Sequence, residues 1–314
     1  MSDTVLAVDL GGTNIRMAAV SDKGAILHLT RAATPADVSP EGLTALTGRL
    51  ADECRQSIPS NRRLGAICFA APAPAAKDGN GVLTKLPNIP TLDGMDLRAA
   101  LTDLLQMRVL IENDATAAGI GENWRGASVG VANSIMVTLG TGIGGGIIID
   151  SEPLRGVDGT GGEIGHICVE PDGHPCGCGS HGCVEQYASA TAIVRQARDE
   201  GLDVLSALAV YQAYTQGDAR AKIVFRKMGR YLGLMLAGLV NAINPEMIVI
   251  GGGAAGAWDA FIDAVRNEIN YRAFSAPAAR AQLVQAKLGD NAGILGAART
   301  AFLTITLTGT RVIQ

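Results

Sequence analysis

The sequence is poor in aromatic residues and has no excess of positive charge. Phe, Trp and Tyr make up 4% of the 314 residues, and the formal net charge at pH 7 is -4. Without a strong positive field, a chain lacks the electrostatic means of collecting nucleic acid or an anionic membrane surface. We therefore expect neither nucleic acid nor a membrane among its partners.

Long apolar runs and a targeting segment are also lacking. The longest apolar helical stretch, YLGLMLAGLVNAI at 231–243, is shorter than the ~20 residues that a membrane-spanning helix needs. The opening MSDTVLAVDLGG has no basic leader region and no cleavable apolar stretch. We expect a cytoplasmic protein, in which cysteines stay reduced and serve metal binding or catalysis rather than disulfide bonds.

What the chain does have is length, alternating strand and helix patterns, and glycine. At 314 residues a single core stops growing, so two domains are expected. Apolar strands alternate with helical patterns, which is typical of an α/β protein. The 40 glycines gather in turns such as GGT, GTGIGGG and GGG, where they act on the backbone rather than as a flexible linker.

Two glycine-rich turns each join a pair of apolar strands. The first, DLGGTNIR (Asp9–Arg16), places an aspartate at a strand end and a threonine after two glycines. Consecutive backbone amides in such a turn form an anion-binding concavity, to which the Thr13 hydroxyl adds a donor. Glycine also permits a positive φ there, and Asp9 is suited to hold a metal directly or through water. An ordinary tight hairpin explains one such turn equally well.

The second turn, LGTGIGGG (Leu139–Gly146), repeats the design of the first. Neither turn matches a P-loop or a dinucleotide fingerprint. Two glycine-threonine hairpins in one chain suggest two phosphate cradles that face one nucleotide.

Polar residues follow the apolar strand in IENDATAAG (Ile111–Gly119). In open α/β sheets, ligands sit at the carboxyl ends of strands. A carboxylate at Asp114 is placed to accept a proton from a substrate hydroxyl, as phosphoryl transfer requires. The alternative is that Asp114 is simply the N-cap of the following helix.

Four of the six cysteines and three of the four histidines lie within GEIGHICVEPDGHPCGCGSHGCVE, residues 162–185. Three thiolates and one imidazole make a tetrahedral structural zinc site. The ligands that we expect are His166, Cys176, Cys178 and Cys183.

The remaining members of this segment are given other roles. We expect Cys168 to be a buried strand thiol, and His174 and His181 to be solvated loop residues. A zinc ion that fixes the loop would also fix the positions of Glu163 and Glu185. Two carboxylates in fixed positions beside an imidazole suit the recognition of sugar hydroxyls. The alternative for both glutamates is ordinary surface exposure.

In this order the motifs resemble those of bacterial sugar kinases of the ROK family (repressor, open reading frame, kinase), nearly end to end. DLGGTNIR and LGTGIGGG resemble the two phosphate motifs of the family, and END resembles its catalytic-aspartate motif. GEIGH…CGCGSHGCVE resembles the family signature, and NPEMIVIGGG and NAGILGAA resemble late motifs of the nucleotide domain.

The resemblance implies an actin-like, ribonuclease-H-like ATPase fold with two α/β domains flanking a cleft. The small domain would comprise residues 1–118 and 297–314, and the large domain with the zinc loop residues 119–296. ATP, Mg²⁺ and a structural Zn²⁺ are the implied cofactors, and a homodimer is the implied assembly.

Carried over residue by residue, the resemblance makes Asp114 the general base and Asp9 a residue of the Mg²⁺ site. The implied nucleotide contacts are Gly11, Gly12, Thr13, Gly140, Thr141, Gly142, Gly251, Gly252 and Gly253. The implied sugar ligands are Asn88, Asn113, Asp114, Glu163, His166 and Glu185.

Two positions depart from the family pattern. Pro72-Ala73-Pro74 stands where the family often has Pro-Gly, which puts a backbone contact to the sugar in doubt, and Thr116 replaces an asparagine. The function expected is an ATP-dependent hexose kinase, with glucose as the sugar.

Several alternatives remain open at this point. N-acetylmannosamine, N-acetylglucosamine, fructose or allose could replace glucose, and polyphosphate could replace ATP. A sugar-binding repressor would need a DNA-reading segment, for which the eight residues before Asp9 leave no room. A non-catalytic sugar-binding protein would be expected to lose Asp114 or a phosphate loop.

Overall fold

The computed structural model describes residues 3–35, 37–73, 82–83 and 89–309. In chain order the strands β1–β10 are Thr4–Leu10, Asn14–Ser21, Ile26–Ala33, Leu64–Ala71, Arg108–Asn113, Ser134–Leu139, Ile143–Ile149, Glu152–Pro153, Met247–Gly251 and Gln282–Gln285. The helices α1–α10 are Pro40–Ser57, Leu97–Leu105, Asp114–Arg125, Glu185–Ala188, Ala190–Asp199, Ala207–Thr215, Ala219–Ile243, Trp258–Arg272, Ser275–Arg280 and Ala292–Gly309. Short 3₁₀ turns cover Pro90–Leu92, Ile164–His166, Gly253–Ala257 and Gly289–Asn291.

The chain divides into two compact units. The first unit comprises Met1–Gly130, Pro153–Gly161 and Asp290–Gln314, and the second unit comprises Val131–Glu152 and Gly162–Gly289. The domain limits expected from the sequence, after residue 118 and after residue 296, fall inside α3 and α10. As domain limits they stay a prediction.

The first unit is built on a five-stranded sheet with the order β3-β2-β1-β4-β5. Strands β1, β4 and β5 are parallel, whereas β2 and β3 are antiparallel to their neighbours. Because side chains alternate across a strand, Leu6 and Val8 of β1 join a buried apolar cluster with Leu43 of α1 and Leu101 of α2. The other face of the sheet packs against α10.

Glycine lets α3 and α10 of the first unit approach each other with their backbones in contact. A Cβ on Gly296 would lie 1.7 Å from the carbonyl oxygen of Ala117, and one on Gly121 would lie 2.2 Å from that of Ala292. No side chain fits at such distances. Gly296 of NAGILGAA therefore serves helix packing, and this packing places the start of α10 beside the sheet.

The second unit has a five-stranded sheet with the order β10-β9-β6-β7-β8. Strands β6 and β9 are parallel, and β6 and β7 form the second glycine hairpin. The 25-residue α7 packs against α4, α5, α6 and α8. Its buried face, which includes Phe225 and Leu232, belongs to one apolar cluster with Val137 of β6 and Ile250 of β9.

The α/β class and both glycine hairpins that the sequence predicts are confirmed. Among the described helices, none combines the length and the apolar character that a membrane-spanning segment needs.

Candidate functional site

The first glycine turn and the polar tip of β5 lie at the same edge of the first sheet. Asp9 of β1 pairs in register with Ala70 of β4, and Asn113 of β5 pairs with Ala71. All three strands are parallel, so their carboxyl ends meet at one edge, where open α/β sheets bind ligands. One strand separates Asp9 from Asn113, which corresponds to about 10 Å across the sheet.

The N-cap of α3 is Asn113 rather than Asp114. The Asn113 Oδ1 accepts hydrogen bonds from the backbone N–H groups of Ala115 and Thr116, each at 3.0 Å. Asp114 is the first residue of the helix, its side chain is exposed, and its Oδ1 accepts the Ala115 N–H at 2.7 Å. The capping explanation of Asp114 is therefore wrong, because its neighbour already fills that role.

Asp9 is held by an arginine from the same turn motif. The Asp9 Oδ2 accepts hydrogen bonds from Nε and Nη2 of Arg16, at 3.2 and 2.9 Å. Arg16 also donates to the backbone carbonyl of Asp290, just before α10. Both of the Arg16 hydrogen bonds to Asp9 are made to Oδ2 and neither to Oδ1.

The helix α10 reaches Asp9 at its first turn. A Cβ on Gly293 would lie 3.9 Å from the Asp9 Oδ1 and from the Ala70 Cβ. The amino end of a helix carries partial positive charge, which stabilises an anion. The Asp9 carboxylate therefore sits between the Arg16 guanidinium and the start of α10.

The conformation of the first glycine turn differs from the sequence expectation. Gly11 has no left-handed φ, and the same holds for Gly140 and Gly142 of the second turn. Close approach is what favours a small residue at Gly11, because a Cβ there would lie 3.1 Å from the Asn14 carbonyl oxygen. Thr13, at the tip of the turn, is exposed.

In the second unit, the second glycine turn lies against the Gly251–Gly253 turn. Thr138 of β6 pairs in parallel with Gly251 of β9, so both turns follow carboxyl strand ends. Gly252 has a φ of +85°, and a Cβ there would lie 2.5 Å from the Leu139 carbonyl oxygen. This position therefore demands glycine for two reasons, and the two glycine turns of the second unit are neighbours.

The four zinc ligands that the sequence predicts come together in the second unit. The donor atoms of His166, Cys176, Cys178 and Cys183 all lie within 4.8 Å of one another. The Sγ atoms of Cys178 and Cys183 are 3.7 Å apart, and His166 Nδ1 is 3.6 Å from the Cys176 Sγ.

These separations fit a tetrahedral zinc ion. With Zn–S bonds of about 2.3 Å and Zn–N bonds of about 2.0–2.1 Å, tetrahedral angles place two sulfurs about 3.8 Å apart and a sulfur and a nitrogen about 3.5–3.6 Å apart. Burial raises the pKa of the Cys183 thiol to about 12, whereas a hydrogen bond from the Ser180 backbone lowers the pKa of Cys178. Bound zinc would favour the thiolate at both positions.

The two ring nitrogens of His166 face different groups. The Nδ1 faces the cysteines, and the Nε2 lies 3.9 Å from the Glu163 Oε2. A metal at Nδ1 would place the ring proton on Nε2, which then becomes a hydrogen-bond donor. One imidazole is thus suited both to the zinc role and to the sugar role that the sequence assigns to it.

Glu185 is held by the second glycine turn. Its Oε2 accepts the backbone N–H of Ile143 at 3.0 Å. A Cβ on Gly142 would lie 2.3 Å from the same oxygen. Glu185 is half-buried, so simple surface exposure does not describe it, whereas the Glu163 side chain is 46% exposed.

The other residues of the zinc segment behave differently from one another. Cys168 is exposed, and the expectation of a buried strand thiol is wrong. Cys168 and Cys183 form an isolated β-bridge of a single residue pair, so Cys168 is not part of a sheet that could bury its side chain. His174 and His181 are exposed, as expected, although the His174 ring also contacts Tyr187. Asn88 lies outside the described residues.

Sequence reasoning missed two arginines near the proposed site of the first unit. Arg16 is part of the quoted DLGGTNIR, so its charge was a usable signal. Arg155 pairs with the buried Glu112, which lies 43 residues earlier in the chain, and nothing in the sequence links the two.

Comparison with known proteins gives a consistent result. The model of the ROK family matches residues 5–302. The glucokinase of Halalkalibacterium halodurans is 36% identical over 316 aligned residues, which cover 94% of this chain and 94% of that enzyme.

Two crystal structures resemble the chain over nearly its whole length. A ROK hexokinase from Thermus thermophilus has a TM-score of 0.84 at 32% identity, covering 96% of this chain and 99% of that one. A ROK family glucokinase from Streptomyces griseus, in complex with glucose and AMPPNP, has a TM-score of 0.79 at 32% identity with the same coverage. The actin-like sugar-kinase fold that the sequence predicts is confirmed.

Proposed function

Because the chain belongs to the ROK family, we propose that it is an ATP-dependent hexose kinase whose sugar is D-glucose. The products would be glucose 6-phosphate and ADP. The observation that carries the proposal is the position of Asp114, a carboxylate exposed at the start of α3 whose capping role is filled by Asn113. The glucose and AMPPNP bound by the Streptomyces griseus relative support the choice of substrates.

Asp114 would act on the sugar hydroxyl that becomes phosphorylated. As the 6-hydroxyl oxygen attacks the γ-phosphorus, its O–H bond breaks and Asp114 receives the proton. The bond from the γ-phosphorus to the bridging oxygen breaks, and ADP leaves with that oxygen. Asn113 would help to hold the sugar through its amide nitrogen, because its Oδ1 is committed to the cap.

The two glycine turns and the Gly251–Gly253 turn would receive the nucleotide. Backbone N–H groups in such turns stabilise phosphate charge without needing a side chain. When Mg²⁺ is bound with ATP, it neutralises charge on the phosphates that are being separated. Asp9 would hold a water of that ion through its Oδ1, with Arg16 fixing the orientation of the carboxylate.

The zinc segment would organise the sugar site. Zinc, when bound, supplies a structural cross-link between His166 and the cysteine loop. The chain would then present the His166 Nε2–H and the carboxylates of Glu163 and Glu185 to sugar hydroxyls. Carboxylates accept strong hydrogen bonds from hydroxyl groups, which suits the recognition of a hexose.

Assembly and location form part of the same proposal. A homodimer is what the family resemblance suggests, and sedimentation velocity would measure it directly. A cytoplasmic location agrees with six free cysteines, three of which lie in the candidate zinc cluster.

The test is a coupled ADP-release assay with ATP and Mg²⁺ against glucose, N-acetylmannosamine, N-acetylglucosamine, fructose and allose. The proposal predicts the highest kcat/KM on glucose and no ADP release without sugar. Turnover on another sugar would keep the mechanism and overturn the substrate. A parallel assay with polyphosphate as donor detects glucose 6-phosphate directly. Absence of turnover with both donors on every sugar would overturn the kinase proposal.

A further inference from the structure

The residues that follow the zinc ligand Cys183 make three hydrogen bonds to the second glycine turn. Ile143 N–H donates to the Glu185 Oε2 at 3.0 Å, and the Ala190 N–H donates to the Gly140 carbonyl at 2.9 Å. The Thr191 hydroxyl donates to the Thr141 carbonyl at 2.8 Å. The carbonyls of Gly140 and Thr141 and the amide of Ile143 are thus all held from one short segment, Glu185–Thr191.

The segment Glu185–Thr191 is itself fixed from behind. Tyr187 is 7% exposed, and its ring stacks on Tyr231 of α7 with centroids 4.2 Å apart. The Tyr187 hydroxyl accepts the backbone N–H of His174 at 2.9 Å, which ties the segment to the cysteine loop. Because these contacts fix the segment, its three hydrogen bonds can hold the glycine turn in one conformation.

Gly142 makes the contact with Glu185 possible. A Cβ at position 142 would lie 2.3 Å from Oε2 and 3.1 Å from Cδ of Glu185. Gly142 has no left-handed φ, so backbone conformation does not demand glycine there. A Cβ at position 142 would instead displace the Glu185 carboxylate from its hydrogen bond with the Ile143 N–H.

We propose that Glu185 is a positioning residue for the second phosphate turn, and that the segment Glu185–Thr191 couples this turn to the sugar site. The inference rests on the proposed function, in which Glu185 contacts the sugar and Gly140–Gly142 contact the nucleotide. One carboxylate would serve both substrates: Oε2 holds the Ile143 N–H, and Oε1 is presented to the sugar. A sugar ligand without this second role would have no effect on nucleotide binding in the absence of sugar.

Calorimetry with one substrate at a time separates the two roles. The variants are Glu185→Ala, Glu185→Gln and Gly142→Ala, each titrated with AMPPNP and Mg²⁺ without sugar, and with glucose without nucleotide. Glu185→Ala and Gly142→Ala should raise the Kd for AMPPNP by about tenfold, because the turn loses a charge-assisted hydrogen bond. Glu185→Gln keeps an oxygen that accepts the Ile143 N–H, so it should weaken glucose binding while leaving the AMPPNP Kd within about twofold.

A second pair of variants leaves Glu185, the proposed sugar ligand, unchanged. Thr191→Val removes the hydroxyl that holds the Thr141 carbonyl, and Thr191→Ser retains a hydroxyl at that position. Thr191→Val should weaken AMPPNP binding severalfold and leave glucose binding unchanged, and Thr191→Ser should restore the nucleotide affinity. Wild-type AMPPNP affinity in both Glu185→Ala and Thr191→Val would overturn the positioning of the turn by the segment Glu185–Thr191.

Amide hydrogen exchange provides a readout that needs neither substrate. Glu185→Ala should accelerate exchange across residues 139–146 by about tenfold, because Ile143 loses its acceptor, and Glu185→Gln should not. Accelerated exchange in a protein that binds neither glucose nor AMPPNP would support the positioning role while the proposed function fails. Unchanged exchange in Glu185→Ala would overturn the positioning role, whatever the substrates.

Discussion

The guanidinium of Arg155 contacts the carboxylate of Glu112 in the first unit, one residue before the Asn113–Asp114 pair. The Arg155 Nε lies 3.1 Å from the Glu112 Oε2, and Glu112 is 1% exposed. The other oxygen of Glu112 accepts the Asn113 N–H at 3.2 Å. This ion pair between a partly exposed arginine and a buried glutamate therefore supports the backbone that places the proposed catalytic aspartate.

Removing Arg155 should leave a buried, uncompensated carboxylate. We expect Arg155→Met to lower the free energy of unfolding by about 3 kcal/mol or more at neutral pH, measured by urea denaturation. Arg266→Met is the control, since Arg266 forms an exposed pair with Asp263 and such pairs contribute about 0–1 kcal/mol. Equal stability of the two variants would contradict a supporting role for the Arg155–Glu112 pair.

The cost of removing Arg155 should depend on pH. Burial raises the pKa of the Glu112 carboxyl, and Arg155 opposes that rise. When a carboxyl has a higher pKa in the folded than in the unfolded chain, the free energy of unfolding falls as the pH rises from the lower to the higher of these two pKa values. Removing Arg155 raises the folded-state pKa of Glu112 further and so widens the gap between the two pKa values. The loss of unfolding free energy in Arg155→Met should therefore be larger at about pH 8 than at about pH 5. A deficit of the same size at both pH values would show that Glu112 stays charged in the variant.

Replacement of Asp114 should affect turnover rather than folding. Asp114→Asn keeps the size of the side chain and leaves the Asn113 cap in place, but it cannot accept the hydroxyl proton. We expect kcat to fall by a factor of about 10²–10⁴, whereas calorimetry should still detect glucose binding. Asp103→Asn, at an exposed position of α2, is the matched control. Near-normal turnover of Asp114→Asn would remove Asp114 from the role of base.

The thiols should divide into three groups by reactivity toward an alkylating reagent. Cys54 and Cys68 are buried, and burial raises the pKa of Cys54 to about 12, so neither should react in the native protein. The exposed Cys168 should react at once without loss of metal. The three cysteines of the candidate zinc cluster should react only after a chelator removes about one zinc per chain.

Two serine variants test the same zinc cluster. Cys178→Ser should lower zinc content and thermal stability together, because metal binding and the folding of the loop are coupled. Cys168→Ser is the matched control and should keep both. A stable Cys178→Ser protein with full zinc content would exclude Cys178 as a ligand.

The contact between α3 and α10 should not tolerate a methyl group. Gly296→Ala would place a Cβ 1.7 Å from the Ala117 carbonyl oxygen, and we expect a loss of about 3 kcal/mol or more in unfolding free energy, at the upper end of overpacking costs. Gly238→Ala in α7 is the control. Apart from its chain neighbours and the backbone of α7 itself, no part of the described residues lies within 4 Å of its added Cβ, so it should stabilise the chain by about 0.5–1 kcal/mol. Comparable stability of the two variants would exclude close helix contact at Gly296.

Local sequence was sufficient wherever a property depends on residues that are close in the chain. The alternation of apolar residues around Asp9–Arg16 predicted a hairpin, because side chains alternate along a strand. The spacing of Cys176, Cys178 and Cys183 predicted a metal loop, because a short chain joins these thiols. The order of the motifs along the chain predicted the family, and the family in turn predicted the fold.

Other properties depend on residues that only folding brings together. Asn113 and Asp114 are both able to cap a helix, and only the backbone conformation at the end of β5 decided that Asn113 does so. The buried Glu112 finds its partner in Arg155, 43 residues away. The Cys168 thiol is exposed because the chain around it makes a single bridge rather than a sheet.

The glycines show the same division within one residue type. Sequence identified the turns at Gly140–Gly142 and Gly251–Gly253, because glycine clusters mark turns at strand ends. Tertiary structure decided what each glycine is for: Gly252 needs a positive φ beside Leu139, whereas Gly142 makes room for the Glu185 carboxylate. Sequence by itself determined the fold, the hairpins and the set of chemical groups, since these follow from local pattern. The partners of each group were decided by the packing of distant segments, since steric exclusion and hydrogen bonding act across space and not along the chain.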